Sequence, residues 1–236
     1  MASKRIYPYV DDSILIEEVR KVFNSVNSEL HKVDEIFHDN VIDPFSAIFD
    51  CSTQDISYKD WVEQEKHRQI QKTLQNAVGY FHQNILGSVK GWSNPGHGGG
   101  YDVENLDKKI IAEIKNKHNT MNSGSATAVY DKMVGFLQKS KKGFTAYLVI
   151  IVPRSPIKFI KPFGSLSKGT RTPIRKDLLT IDGSSFYEMV TGDKNALRLL
   201  YEALPKAIEI VTGKQNKQFK TDSKLFLELF NKAFGI

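Results

Sequence analysis

Asn94-Pro-Gly-His-Gly-Gly-Gly-Tyr-Asp102, then Ile110-Ile-Ala-Glu-Ile-Lys-Asn-Lys117, is the stretch on which the fold turns. The glycine and proline run cannot continue a helix and favours turns and close backbone approach. Two β-prone runs, 101–106 and 110–117, flank the polar Asp107-Lys108-Lys109, which predicts an antiparallel hairpin although the turn lacks the favoured Asn-Gly or Asp-Gly pair. Side chains alternate along a strand, so Glu113 and Lys115 share one face and Ile110, Ala112 and Ile114 the other. Hairpin pairing can bring Asp102 to the face of Glu113.

Upstream the chain reads as helical. Val19, Val22, Phe23, Val26, Leu30, Val33 and Phe37 follow the spacing of one apolar stripe, with Asp12 or Ser13 as its cap. A short helix is expected from Asp43-Pro44, and a long one over 57–86 with the stripe Ile70, Leu74, Ala77, Val78, Phe81 and Ile85. Downstream, a helix over 126–138 leads into Thr145-Ala-Tyr-Leu-Val-Ile-Ile-Val152, whose β-branched, unbroken apolar run predicts a central strand buried on both faces. Further strands are expected near 157–160 and 178–181, then helices over 193–211 and 222–234. This is an α/β chain with a mixed central sheet flanked by helices. At 236 residues it is read as one domain: an N-terminal helical part over about 1–56, a core over about 57–182 and a C-terminal helical part over about 183–236.

The single Cys51 excludes a disulfide framework and any multi-cysteine zinc site. His97 has no second histidine or cysteine at ligand spacing and is read as a loop residue, and Trp61 and Trp92 are read as packing residues. With no apolar run of membrane length and no signal-like start, no membrane association and a cytoplasmic location are expected. The net charge of +6 is unevenly spread: Lys132 to Lys176 holds eleven basic residues and no acid, leaving the remainder of the chain net acidic. Such segregation is the footprint of a protein that neutralises phosphates, although a solvated lysine-rich face has the same composition.

Two carboxylates brought within a few ångströms repel unless a hard cation lies between them, and Mg²⁺ favours such oxygen ligands while keeping several waters. Asp102 and Glu113, with the carbonyl of Ile114, are therefore the candidate metal ligands. Lys115 can hold an attacking water and offset charge growing on a phosphate. Alternating charge also marks the wet face of an ordinary edge strand. The apolar strand carrying Glu-x-Lys, the glycine-rich approach to Asp102 and the acid-free basic segment argue together for chemistry.

A long helix, a strand with Asp102, a turn, a strand with Glu113-Ile114-Lys115 and a helix together resemble the core of the PD-(D/E)xK nucleases over about 57–152. Tyr101-Asp102 stands where that family has Pro-Asp. Ala112-Glu-Ile-Lys-Asn-Lys-His-Asn-Thr-Met-Asn122 and Ile181-Asp-Gly-Ser-Ser-Phe-Tyr-Glu188 resemble type II restriction enzymes that cut GGNCC or GGWCC sites. The resemblance implies Asp102 and Glu113 as metal ligands, Lys115 as the water-orienting group, and an added acid from the preceding helix, with Glu63 and Glu65 as candidates between which the sequence does not choose. It also implies a bacterial restriction-modification system and duplex DNA as substrate. A homodimer matched to a palindromic site and no nucleotide cofactor are expected. Candidate DNA contacts are Lys117, Asn119, Asn122 and Ser123 after the catalytic strand, and Arg171, Arg175 and Lys176 in the basic segment. The rival readings are a structure-specific repair or recombination nuclease on the same core, and a DNA-binding module whose acids are structural.

Overall fold

A computed structural model describes residues 5–36, 42–96, 98–167, 170–215 and 220–235. They separate into two compact units, one of Met1–Val19 with Phe81–Ile236 and one of Arg20–Tyr80. Among them no helix is long and apolar enough to cross a membrane. Helix α1 spans Asp12–Ile36; Val19 is buried, whereas Leu30, further along the expected stripe, is half exposed. Phe37, the last residue of that stripe, lies outside the described residues.

In the smaller unit, α2 (Pro44–Gln54) starts where the sequence places it. Asp43 accepts from the Phe45 amide at 2.9 Å, Pro44 contributes a backbone already set for a helix, and Asp55 ends the helix in the left-handed region. Ala47 and Trp61 form its buried centre, and the Trp61 Nε1 donates to Asp50 at 3.2 Å. Helix α3 (Tyr58–Gly87) begins behind Ser57, whose hydroxyl oxygen accepts from the Asp60 amide.

The larger unit is built on a five-stranded sheet of order β1-β2-β3-β7-β4: β1 Val103–Asn105, β2 Ile110–Lys117, β3 Thr145–Val152, β4 Ile160–Pro162 and β7 Leu178–Asp182. The three inner strands are parallel and both edges antiparallel. Strand β3 is the centre, as its apolar run requires. Helix α4 (Ser123–Gln138) connects β2 to β3 and packs Val129, Tyr130, Met133 and Leu137 onto Ile111, Leu148 and Ile150. Helix α5 (Gly183–Thr191) follows β7, and its Phe186 meets Tyr147 and Trp92. Helices α6 (Ala196–Thr212) and α7 (Ser223–Phe234) follow within a few residues of the expected positions.

Three local differences have physical causes. The strand expected near 157–160 falls at Ile160–Pro162, because backbone and carboxylate of Asp182 take both backbone groups of Phe159 and close the ladder there. The sequence reading assigns no element between 181 and 193; α5 forms there because Asp182 caps the Ser185 amide at 2.9 Å. Glycine is required at 183, where a Cβ would lie 2.4 Å from the Ile151 carbonyl oxygen. A short ribbon of β5 (Leu166–Ser167) and β6 (Thr170–Arg171) interrupts the basic segment and carries no apolar alternation to announce it.

Candidate active site

The hairpin sets the site. Val103 pairs with Ala112 and Asn105 with Ile110. The Asn105 carboxamide accepts from the Lys108 amide at 2.8 Å, and Lys109 takes the left-handed conformation, which replaces the missing Asn-Gly turn. Asp102 lies one residue before β1 rather than within it, but its amide still donates to the Ala112 carbonyl at 2.9 Å and so continues the ladder.

Beyond that bond, Asp102 Oδ2 accepts from the Ile114 amide at 2.6 Å. A strand's backbone groups repeat direction every two residues, so the Ile114 carbonyl faces the same edge as the Ala112 carbonyl, past the start of β1 and on the side of Asp102. Glu113 points the other way from Ile114, onto the face covered by α4, and is 6% exposed. Its Oε1 accepts from Lys115 Nζ at 2.9 Å and its Oε2 from Lys132 Nζ at 2.7 Å.

Tyr101 anchors the approach. Its ring meets Phe136 of α4 edge-on at 5.1 Å, its hydroxyl donates to Glu104 at 2.8 Å, and Lys141 donates to the same carboxylate at 2.7 Å. Gly100, at φ +72°, brings the chain so close to α4 that a Cβ would lie 2.6 Å from the Phe136 ring. The residue before Asp102 is thus held by packing and hydrogen bonding.

Burial, and then the nearby charge of Glu113, push the Asp102 carboxyl up to about 6; the Ile114 amide and the two lysines act against that rise. Two carboxylates, one of them short of partners, fit a hard divalent cation. Among the described residues Asp102 Oδ1 accepts no hydrogen bond, and the ammoniums on Glu113 show that the pocket attracts positive charge. Residues that would hold the ion are Asp102, Glu113 and the Ile114 carbonyl. Among the described residues no group of three or more His, Cys, Asp or Glu side chains converges, here or elsewhere, so this site offers two carboxylates and a backbone carbonyl.

The remaining expected residues divide. Lys117 ends β2 and Asn119 lies two residues beyond it, exposed. Asn122 is the cap of α4, accepting from the Ser125 amide at 2.8 Å, and the Ser123 carbonyl accepts from Thr127. Arg171 and Lys176 are exposed. Arg175 instead forks onto Asp177 at 2.6 and 2.8 Å, so its guanidinium is engaged by an acid that lies just beyond the acid-free window. Glu63 and Glu65 sit on α3 within the smaller unit, paired with Lys66 and Arg68 one turn on. His97 lies outside the described residues. Lys132 enters the site without having been singled out: its partner is nineteen positions away, across helix-on-strand packing, and its only sequence signal is a position beside the buried α4 stripe at Val129 and Met133.

The match to known proteins runs through this hairpin and most of the chain. Residues 7–213 match the family model described as Eco47II restriction endonuclease. The chain belongs to that family. It is 39% identical over 235 residues to the type II restriction enzyme Eco47II of Escherichia coli, covering 96% of this chain and 98% of the relative. It is 31% identical over 231 residues to the type II restriction enzyme Sau96I of Staphylococcus aureus, covering 95% and 88%. Membership of the Eco47II family makes this a restriction endonuclease on a mixed α/β fold.

Proposed function

We propose that this Eco47II family enzyme hydrolyses duplex DNA with Mg²⁺ at a centre made of Asp102, Glu113 and Lys115, cutting within GGNCC or GGWCC sites as a homodimer in the bacterial cytoplasm, with no nucleotide cofactor. The observation that carries the reading is the Asp102–Glu113 pair at the open end of the hairpin, with Lys115 Nζ 2.9 Å from Glu113 Oε1. Asp102, Glu113 and the Ile114 carbonyl hold the cation. When bound, Mg²⁺ polarises the scissile phosphate and lowers the pKa of a bound water. Lys115 orients the attacking water against Glu113 and offsets negative charge as the phosphorus gains its fifth oxygen. The polar run after β2, with Lys117, Asn119, Asn122 and Ser123, lies on the chain leaving the site and supports backbone contacts there. Exposed Arg171 and Lys176 support contacts from the basic segment, and Arg175 joins them on release from Asp177. A two-fold DNA site supports two copies of the chain, one centre for each strand.

Digestion of a plasmid of known sequence tests this. Discrete fragments with Mg²⁺, none with EDTA, and ends that map to one GGNCC or GGWCC site are expected. Cutting confined to flaps or junctions would favour a repair nuclease, and binding without EDTA-sensitive cutting would favour a DNA-binding module. Sedimentation at working concentration reads the dimer.

A further inference from the structure

The two ammoniums on Glu113 are not equivalent. Lys115 comes from the same strand two residues on, and its side chain is 27% exposed. Lys132 reaches across from α4 on a long flexible stem, and its side chain is 38% exposed. Among the described residues Glu113 is the one acid with which Lys132 forms an ion pair, while its charge also acts on Asp102. With Asp102 and Glu113 ionised, Lys115 and Lys132 balance the cluster charge for charge before any divalent ion arrives. A carboxylate oxygen at 2.7 Å from an ammonium cannot at the same time be a good ligand to a cation, because the two positive charges would sit within a few ångströms of each other.

We propose that Lys132 is a displaceable counter-ion: it occupies Glu113 Oε2 in the cation-free enzyme and withdraws when a divalent cation takes that carboxylate. The proposal rests on Asp102 and Glu113 being the cation ligands. Lys132 is the ammonium that leaves, since it is the more exposed of the two and regains water at little cost, while Lys115 stays for the chemistry. A buried carboxylate oxygen left without its ammonium is destabilising even while Lys115 holds the other oxygen, so the same lysine helps keep Glu113 in place while the metal is absent. Two measurable consequences follow: Lys132 weakens cation binding by the free enzyme, and it stabilises the fold when cations are removed.

The experiment uses the full-length enzyme without DNA, titrated with Ca²⁺ in a calorimeter and melted in EDTA. Lys132→Met is expected to bind Ca²⁺ about tenfold or more tightly than wild type, the scale on which one nearby charge acts on a carboxylate. It is expected to melt lower in EDTA and to recover with Ca²⁺. Lys132→Arg keeps the charge and is expected to keep both wild-type values; Glu113→Gln is expected to abolish Ca²⁺ binding. If Lys132→Met does not fold in EDTA, Lys132→Gln, which can still hydrogen-bond to Glu113 without a charge, serves the same comparison. Ca²⁺ affinity that is unchanged or weaker in the neutral variant, with Glu113→Gln still abolishing binding, overturns the counter-ion and leaves the cation site standing. Wild-type Ca²⁺ binding by Glu113→Gln overturns the cation site and the counter-ion with it.

Discussion

Asp182, at the end of β7, and Asp102, at the mouth of the β1–β2 hairpin, are two withdrawn aspartates on one sheet, and they are treated in opposite ways. Both oxygens of Asp182 accept backbone amides, Oδ1 from Ser185 at 2.9 Å and Oδ2 from Phe159 at 2.7 Å. Asp102 receives one amide and faces a second carboxylate. The first arrangement is complete: it ties α5 and the approach to β4 onto the end of β7, and nothing is left over to bind. The second leaves charge unsatisfied at a place the chain has gone to some length to fix, with Gly100, Tyr101 and the Ala112 carbonyl all holding the backbone. Burial alone therefore does not separate a structural acid from a candidate reactive one; the count of acceptor oxygens left unmet does.

The comparison is broken most visibly by neutralising each acid in turn. Asp102→Asn and Glu113→Gln are expected to slow cleavage at least about a thousandfold, the scale of losing a metal-holding group. Plasmid nicking beside circular dichroism measures this. Asp102→Asn keeps an oxygen for the Ile114 amide while removing one of two repelling charges, so in EDTA it should melt a few degrees above wild type. A melting point that falls instead would mean that the pair is structural.

Next in size is the lysine beside the acids. Lys115→Ala should bind its DNA site in Ca²⁺ yet cleave roughly a hundredfold more slowly in single-turnover assays at saturating enzyme. Lys117→Ala, one step along the same strand face, should lose binding rather than the chemical step. The reverse result would shift the proposed register of Glu113-Ile114-Lys115 by two residues.

Asp182→Asn sharpens the structural side. An amide facing two N–H donors satisfies only one of them, which is expected to cost about 1–3 kcal/mol in denaturant unfolding. Cleavage per folded molecule should stay at the wild-type level, and a loss of turnover without a loss of stability would erase the contrast with Asp102.

An effect that vanishes at neutral pH comes from His82, whose Nδ1 lies 2.8 Å from the hydroxyl of Tyr187 on α5. Burial pushes its imidazole down to about 4 from an ordinary 6.5. Between those values the unfolded chain holds the extra proton, so His82 costs the fold nothing above pH 6.5 and about 2 kcal/mol by pH 5, with the loss growing towards pH 4. Unfolding curves at pH 7 and pH 5 should show that difference for wild type, and a smaller one for His82→Gln.

Much of this was readable from residues because it is local. The Glu113-Ile114-Lys115 alternation, the polar turn and the apolar run of β3 each declare themselves within a few positions. Asp43-Pro44 likewise announces α2, because the cap and the set backbone are adjacent in sequence. What stayed hidden is decided across space. Lys132 acquires its role only when α4 lies on β2, and Arg175 becomes engaged through Asp177, the first acid past the basic segment. Four cations of that segment are in fact paired with acids outside it: Lys132 with Glu113, Lys141 with Glu104, Lys158 with Glu188 and Arg175 with Asp177. A count of charges along the chain therefore overstates the positive surface. Helix α5 was concealed because its first residues have the composition of a turn, and the contact that demands Gly183 belongs to Ile151.

The groups of the proposed site, from Asp102 to Lys132, come from one hairpin and the helix that crosses behind it, an uninterrupted run of chain. Contacts of short sequence separation close small loops, so this part of the molecule is also among the cheapest to order. For inheritance, the arrangement separates two kinds of information only in part. On the proposed assignment, Arg171, Arg175 and Lys176 beyond β3 can be exchanged without touching the hairpin or α4, whereas Lys117, Asn119, Asn122 and Ser123 share one run with the acids, so only part of what would select a site can change apart from what would cut it.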